Sequence, residues 1–382
     1  MKRLGKITGI LVAAFLVIGL AVPARRAEAA PAVGAKAYVL MEASTGRVLL
    51  ENNRDAKLPM ASTTKIMTCL LAVENGNMDD IVTIPKEAVG QEGTSIYLRE
   101  GEKVAFSDLV YGLMLASGND AAVAIAIHLA GSVEAFAQMM NEKAREIGAN
   151  NSNFVTPNGL PDDNHYTTAY DLALISSYAM QNEKFCEIVG TSKKDLAEDD
   201  DSPARYLRSK NKILYQYEGG NGIKTGYTKA AGKCLSAGAK RDNMQLVAVV
   251  LNDYDMFIDC MALLDYGFEH YAMRQVAEAG QSYGDIPVEE SLEGSVQTAL
   301  CDNIYLPLTQ EEVTMVEEKV NMSSSLAAPV QEGEVVGVVE FSFGDIKAKS
   351  NIITISSAQR KTYEFYLSQI LQRWLGLAEQ AG

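Results

Sequence analysis

The stretch Pro59-Met60-Ala61-Ser62-Thr63-Thr64-Lys65 runs directly into Ile66-Met67-Thr68-Cys69-Leu70-Leu71-Ala72-Val73, a segment that is apolar nearly all round. A helix without a polar face belongs inside a protein, so this segment predicts a buried central helix against which other elements must pack. Ser62 stands at its start, and a spacing of three sets Lys65 one turn along on the same face, within reach of the hydroxyl. A serine and an amine so placed form a nucleophile and base without histidine. The competing reading is a serine helix cap followed by an unrelated lysine. Ser209-Lys210-Asn211-Lys212 has the same S-x-x-K spacing with no buried helical run behind it, so the pattern needs support from elsewhere in the chain.

With 382 residues, 47% hydrophobic and 22% charged, the chain has ordinary globular composition and room for two domains. Lys2, Arg3 and Lys6 precede an apolar run over residues 7–22, and Ala27-Glu28-Ala29 supplies small residues for cleavage. Residues 1–29 therefore read as a cleaved secretory signal peptide, with an uncleaved signal anchor as the alternative. Its loss removes five basic residues and one acid and takes the formal charge from -15 to -19. So acidic a surface, with no basic aromatic stripe, argues against a nucleic-acid partner. The five cysteines are odd in number and lack C-x-x-C spacing, which argues against a disulfide framework and a zinc site and suits small core residues. His128, His165 and His270 are scattered and each reads as structural. Neither a Ser-His-Asp triad nor a histidine metal site has material to build on, and no metal or cofactor is expected.

Along the chain, residues 37–40 and 47–50 predict a β-hairpin through Ala43-Ser44-Thr45-Gly46, and residues 81–84 and 94–98 predict short strands. Ser107-Asp108 is the expected cap of a helix over residues 109–115. Ser117-Gly118-Asn119 then forms a tight turn before helices over residues 120–129 and 132–147, which exposes its side chains to a cleft. A polar stretch over residues 150–165 precedes a helix over residues 168–180, and residues 195–201 read as a solvated acidic loop. Strands are expected over residues 221–227, 233–240 and 244–251, then a helix over residues 256–271. The hairpin and these three strands suit one antiparallel sheet with helices on its faces, an α+β layout. Residues 276–356 show short alternating segments and read as a second, all-β domain. In the tail, Tyr366, Leu367, Ile370, Leu371, Trp374 and Leu377 make a helical stripe, with Arg360, Lys361, Gln369, Gln372 and Arg373 off it. Such a helix suits a membrane interface; the alternative is packing on its own β domain or in a dimer.

Ser62-x-x-Lys65, Ser117-x-Asn119 and Lys224-Thr225-Gly226 occur in this order on a helix start, an interhelical turn and a strand. With Glu42-Ala43-Ser44-Thr45-Gly46, Asn158-Gly159-Leu160 and Gly222 to Thr228, they make the chain resemble the serine D-alanyl-D-alanine carboxypeptidases, low-molecular-mass penicillin-binding proteins. The resemblance covers essentially the whole mature chain. It implies an α+β transpeptidase domain of the penicillin-binding and serine β-lactamase type over residues 30–274, an all-β domain over 275–357 and a membrane-associating amphipathic helix over 358–382. It also implies peptidoglycan stem peptides ending in D-Ala-D-Ala as substrates, acylation by β-lactam antibiotics, and an exported enzyme held peripherally at the outer face of the cytoplasmic membrane. Residue by residue, it implies Ser62 as nucleophile, Lys65 as its base and Ser117 as proton relay. Asn119, Lys224, Thr225, Gly226 and Tyr227 would bind substrate: Lys224 and Thr225 at the terminal carboxylate, Gly226 by leaving room for a substrate strand, and Tyr227 through its backbone N-H in an oxyanion hole shared with Ser62. Many relatives carry His after K-T-G; Tyr227 keeps the backbone role. A class A β-lactamase is the nearest competitor, but Gly118 replaces the central Asp of its middle motif and no E-x-x-L-N segment precedes Lys224. A noncatalytic wall-binding scaffold is the competitor of another class, against which the three intact motifs speak.

Overall fold

The computed structural model of the chain describes residues 30–196 and 203–375. The expected signal peptide, most of the acidic stretch after Asp195 and residues 376–382 lie outside the described residues.

The predicted hairpin is present as β1 (Ala37–Glu42) and β2 (Val48–Asn52). Next come α1 (Lys65–Asn75), the hairpin of β3 (Ile81–Thr83) and β4 (Lys103–Ala105), and helices α2 (Phe106–Leu115), α3 (Asn119–Ala130) and α4 (Val133–Ile147). α5 (Ala169–Ala179), α6 (Glu183–Gly190), the hairpin of β5 (Lys193–Leu196) and β6 (Arg205–Arg208), and the single turn α7 (Ile213–Gln216) lead to the second half of the sheet. There β7 (Gly220–Thr228), β8 (Gly232–Arg241) and β9 (Met244–Leu251) return to the N-terminal hairpin, giving an antiparallel order β2-β1-β9-β8-β7. α8 (Met256–His270) follows.

Alternation sorts the sheet's side chains between two cores. Val247, Val249 and Leu251 of β9 join Val39 and Met41 on the face toward α1, while Leu246, Ala248 and Val250 join Leu40 on the face covered by Cys260, Leu263 and Leu264 of α8. Both faces of β9 are buried, so its sequence is a continuous apolar run instead of an alternating one. α1 lies within the helical side of the first core, with every residue from Lys65 to Ala72 buried. Burial of each Leu, Ile or Val there stabilises the fold by about 1.5–3 kcal/mol.

Residues 94–98 are not the expected strand. β3 pairs with β4, and the amides of Ile96 and Leu98 donate to the buried carboxylate of Asp120 at 3.0–3.1 Å. A side-chain acceptor takes the place of a neighbouring strand, so the apolar alternation of Ile96 and Leu98 records burial without a ladder. Ser107 and Asp108 do not cap α2; the helix starts at Phe106, with Ala105 in the cap position and no side-chain cap bond. Asp195 belongs to β5 and not to a loop. α6 and the β5–β6 hairpin leave no signal in the sequence, being too short to set up a readable period.

Beyond α8, β10 (Ala272–Ala277) pairs with β13 (Ile304–Leu308). The strands β11 (Ser282–Glu289), β12 (Ser295–Leu300), β14 (Glu317–Met322), β15 (Leu326–Ala327), β16 (Val335–Phe343) and β17 (Ile346–Thr354) form a sheet in the order β14-β16-β17-β12-β11-β15. Its own core includes Ile286, Leu306, Val339 and Ile352. Arg47, before β2, reaches this domain: its guanidinium forks Glu312 at 2.6 and 2.9 Å and lies over the rings of Tyr271 and Phe343. α9 (Tyr363–Trp374) follows, with Tyr366, Leu367, Ile370, Leu371 and Trp374 all exposed; Leu377 lies outside the described residues. The five cysteines stand as free thiols, with Cys69, Cys234 and Cys260 buried, Cys186 half-buried and Cys301 exposed.

Candidate active site

Ser62 occupies a single 3-10 turn, Ala61–Thr64, that feeds α1. Ala61 has a left-handed φ of +49°, a conformation that costs a residue with a side chain about 1–2 kcal/mol and persists where the surroundings hold it. Thr64 Oγ1 holds it by donating to the Ala61 carbonyl at 2.8 Å. Ser62 is left partly exposed between the buried residues Ala61 and Thr63.

Lys65, fully buried, has three partners at Nζ: Ser62 Oγ at 3.1 Å, Asn119 Oδ1 at 2.6 Å and the Asn158 carbonyl at 2.6 Å. Burial pushes its pKa well below the ordinary lysine value, Lys224 adds to the shift, and Asp120 opposes it. A neutral amine has two N-H donors and one lone pair. Both carbonyl oxygens can only accept, so they take the two hydrogens, and the lone pair is left for the Ser62 hydroxyl. In that neutral form the amine can take a proton from the hydroxyl.

Asn119 opens α3 and is buried, and its orientation is set on both sides, because Nδ2 donates to the Glu92 carbonyl at 2.5 Å. Ser117, just before it, has a φ of +62°, and Thr94 Oγ1 donates to its carbonyl at 2.6 Å. The turn predicted between two apolar helices thus opens its serine toward a small cleft lined also by Ser209, Lys210, Lys224 and Thr225. The SxxK-like segment at Ser209 therefore enters this cleft as a wall, with no helical nucleophile geometry.

β7 forms the free edge of the sheet beside the Ser62 turn. Lys224 is buried and donates to the Thr225 carbonyl at 3.0 Å. Burial and the neighbouring charge of Lys210 bring its pKa down to about 7. Gly226 lies so close to the turn that a Cβ would fall 3.0 Å from the Ser62 amide nitrogen and 3.0 Å from the Met60 carbonyl. What its missing side chain makes room for in the free enzyme is the Ser62 turn itself, which refines the expected role. Tyr227 is 65% exposed, and its backbone stays on the strand, opposite Lys233 of β8.

The three sequence motifs are brought together. Three further residues act at the site outside the roles the motifs imply: Asn158, whose carbonyl completes the shell of Lys65, Asp120 and Lys210. Asp120, 1% exposed and inside an apolar helix, carried a readable signal, since a buried acid needs partners. Asn158 acts through its backbone, which no side-chain pattern reports.

A family model described as D-alanyl-D-alanine carboxypeptidase matches residues 24–255, and one described as the C-terminal domain of penicillin-binding protein 5 matches residues 271–359. The chain is 32% identical over 351 residues to the D-alanyl-D-alanine carboxypeptidase DacF of Bacillus subtilis, covering 89% of this chain and 90% of that one. Penicillin-binding protein 5 from Haemophilus influenzae aligns with a TM-score of 0.69 at 28% identity, over 86% of this chain and 99% of that one. A Streptococcus pneumoniae protein described as a peptidoglycan synthesis regulatory factor, PBP3, shares the fold with a TM-score of 0.73 at 24% identity, over 86% of this chain and all of that one. Fold and site define a serine enzyme of the penicillin-binding type. The chain belongs to the D-alanyl-D-alanine carboxypeptidase family, and behind its catalytic fold it carries a β domain similar to the C-terminal domain of penicillin-binding protein 5.

Proposed function

We propose that this protein is a serine-type carboxypeptidase that removes the terminal D-alanine from peptidoglycan stem peptides and so matures the cell wall. The observation that carries the reading is the shell of Lys65: two carbonyl acceptors take its hydrogens and leave the lone pair to Ser62. Ser62 Oγ attacks the carbonyl carbon of the penultimate D-alanine as its proton passes to Lys65 Nζ. The backbone N-H groups of Ser62 and Tyr227 receive the developing oxyanion. The C-N bond then breaks, the proton returns through Ser117 to the leaving nitrogen, and D-alanine departs. Water, giving its proton to Lys65, adds to the ester carbonyl; the C-O bond to Ser62 then breaks as Lys65 returns that proton to Oγ, which frees the shortened peptide and restores the enzyme. Asn119 aligns the peptide, Lys224 and Thr225 pair with the terminal carboxylate, and Gly226 lets strand and nucleophile approach. β-Lactams enter the same path and stay on Ser62.

The same reading assigns residues 1–29 to a removed signal, 30–274 to the catalytic domain, 275–357 to the β domain and 358–382 to peripheral attachment at the outer face of the cytoplasmic membrane. The uncovered apolar stripe of α9 supports attachment of this kind. Among the described residues no single helix is long and apolar enough to cross a membrane. A fluorescent penicillin tests the reading. Stable label on the Ser62 peptide, absent in Ser62→Ala, together with D-alanine release from a pentapeptide, is the expected result. Rapid clearance of the drug would instead mark a β-lactamase, and failure to react a noncatalytic scaffold. Deleting residues 360–382 should leave soluble enzyme that still hydrolyses peptides.

A further inference from the structure

His165 lies outside the three motifs, yet it is buried at 3% exposure within reach of the nucleophile turn. Its Nδ1 accepts the backbone N-H of Val155 at 2.9 Å and of Thr156 at 3.3 Å. Amide nitrogens only donate, so Nδ1 carries no proton and the ring hydrogen sits on Nε2. Nε2 lies 2.7 Å from Thr64 Oγ1, whose own hydrogen goes to the Ala61 carbonyl. A one-way chain of hydrogen bonds therefore runs from the Val155 and Thr156 amides through the imidazole and the Thr64 hydroxyl to Ala61.

Both ends of this chain matter to the chemistry. Ala61 is the left-handed residue directly before Ser62. The segment that begins at Val155 reaches Asn158, whose carbonyl receives Lys65 Nζ, and Gly159, which is pressed so close that a Cβ would stand 2.0 Å from the Ala61 oxygen. One side chain thus fixes the turn that aims the hydroxyl and the loop that aims the amine. We propose that His165 is a positioning residue for the Ser62–Lys65 pair, acting through Thr64; this rests on the roles given to Ser62 and Lys65 above.

The environment keeps the ring in the required form. Burial brings its pKa down to about 4, Lys65 acts in the same direction, and Asp162 opposes. Phe154 packs edge-on at 5.9 Å, and Lys57, Asp163 and Tyr166 line the cleft on the outer side. The imidazole therefore stays neutral across the pH range in which a cell wall is built, with Nδ1 free to accept.

The test uses the full chain and avoids deleting the imidazole. Thr64→Val keeps the side-chain shape and removes the hydroxyl, whereas Thr64→Ser keeps the hydroxyl. With a fluorescent penicillin, the acylation rate constant at saturation should fall about 30- to 100-fold in Thr64→Val, with little change in the half-saturating drug concentration, because misplacement of reacting groups costs rate before binding. Thr64→Ser should stay within about threefold of wild type. Imidazole nitrogen NMR of the wild type, in a chain with only three histidines, should show His165 as the neutral Nε2-H tautomer at pH 7. Thr64→Val acylating like wild type, Thr64→Ser failing alongside it, or a proton found on Nδ1 would each overturn the proposal. Wild-type labelling tests the role of Ser62 independently, so failure of that reading and failure of this one remain distinguishable.

Discussion

Asn119 faces Lys65 oxygen first: Oδ1 accepts from Nζ at 2.6 Å while Nδ2 is held by the Glu92 carbonyl at 2.5 Å. The amide cannot turn over without losing both bonds, so the amine always meets an acceptor. Asn119→Asp preserves the shape and adds a negative charge, which favours the ammonium form and raises the pKa of Lys65. Acylation at neutral pH should fall by about 10²–10³-fold, and the acid limb of the rate profile should move to higher pH, so that part of the loss is recovered on the alkaline side. Penicillin acylation rates across pH check it, and an unmoved limb would count against a neutral Lys65.

Lys224 is expected to act on the substrate carboxylate. Lys224→Ala should lower turnover of peptides with a free C-terminus by about 10²-fold or more and of matched C-terminal amides by only a few-fold, because the amides never made the charge-assisted contact. Release of D-alanine and of D-alaninamide from the two peptides measures it. Equal losses on both would instead assign Lys224 to lowering the pKa of Lys65.

The β domain is expected to depend on Arg47 for its seat. Burial raises the pKa of Glu312, but the Arg47 fork and the Thr309 amide outweigh it and hold the carboxyl below its ordinary range. A depressed folded pKa contributes stability above the unfolded value and loses it as pH falls through the folded one. Glu312→Gln should therefore cost roughly 1–2 kcal/mol at pH 7, less than a fully buried pair because some exposure screens it. The difference from wild type should shrink as pH falls through the lowered folded pKa of Glu312, since the wild-type carboxyl then protonates as well. Urea unfolding at pH 7 and near pH 3.5 provides the comparison.

Gly159 has φ of +82°, and a Cβ there would meet the Ala61 carbonyl oxygen at 2.0 Å. The obstacle is backbone and cannot swing aside, so Gly159→Ala must displace either the loop carrying Asn158 or the turn carrying Ser62. Acylation should fall by about 10²-fold or more, in step with misplacement of the pair. Labelling kinetics alongside the melting midpoint would separate this from global unfolding, and normal kinetics would mean the two segments are not coupled.

Two kinds of information in the sequence proved sufficient by themselves. The all-round apolar character of residues 66–73 demanded a buried helix, and the strands expected over residues 221–227, 233–240 and 244–251 form one sheet with the N-terminal hairpin, because burial leaves a local period or its absence in the chain. The order of Ser62, Ser117 and Lys224 motifs marked the family for the same reason, each motif being short and contiguous. Tertiary structure alone decided the rest. The partners that strip Lys65 of its donors lie 54 and 93 residues away, one of them a backbone carbonyl. The strand expected over residues 94–98 gave way to a carboxylate at Asp120, 22 and 24 residues on from the Leu98 and Ile96 amides it accepts. Even the lowered pKa of Lys65 follows from its burial beside Lys224, a consequence of how distant segments exclude water together, and no window of sequence contains it.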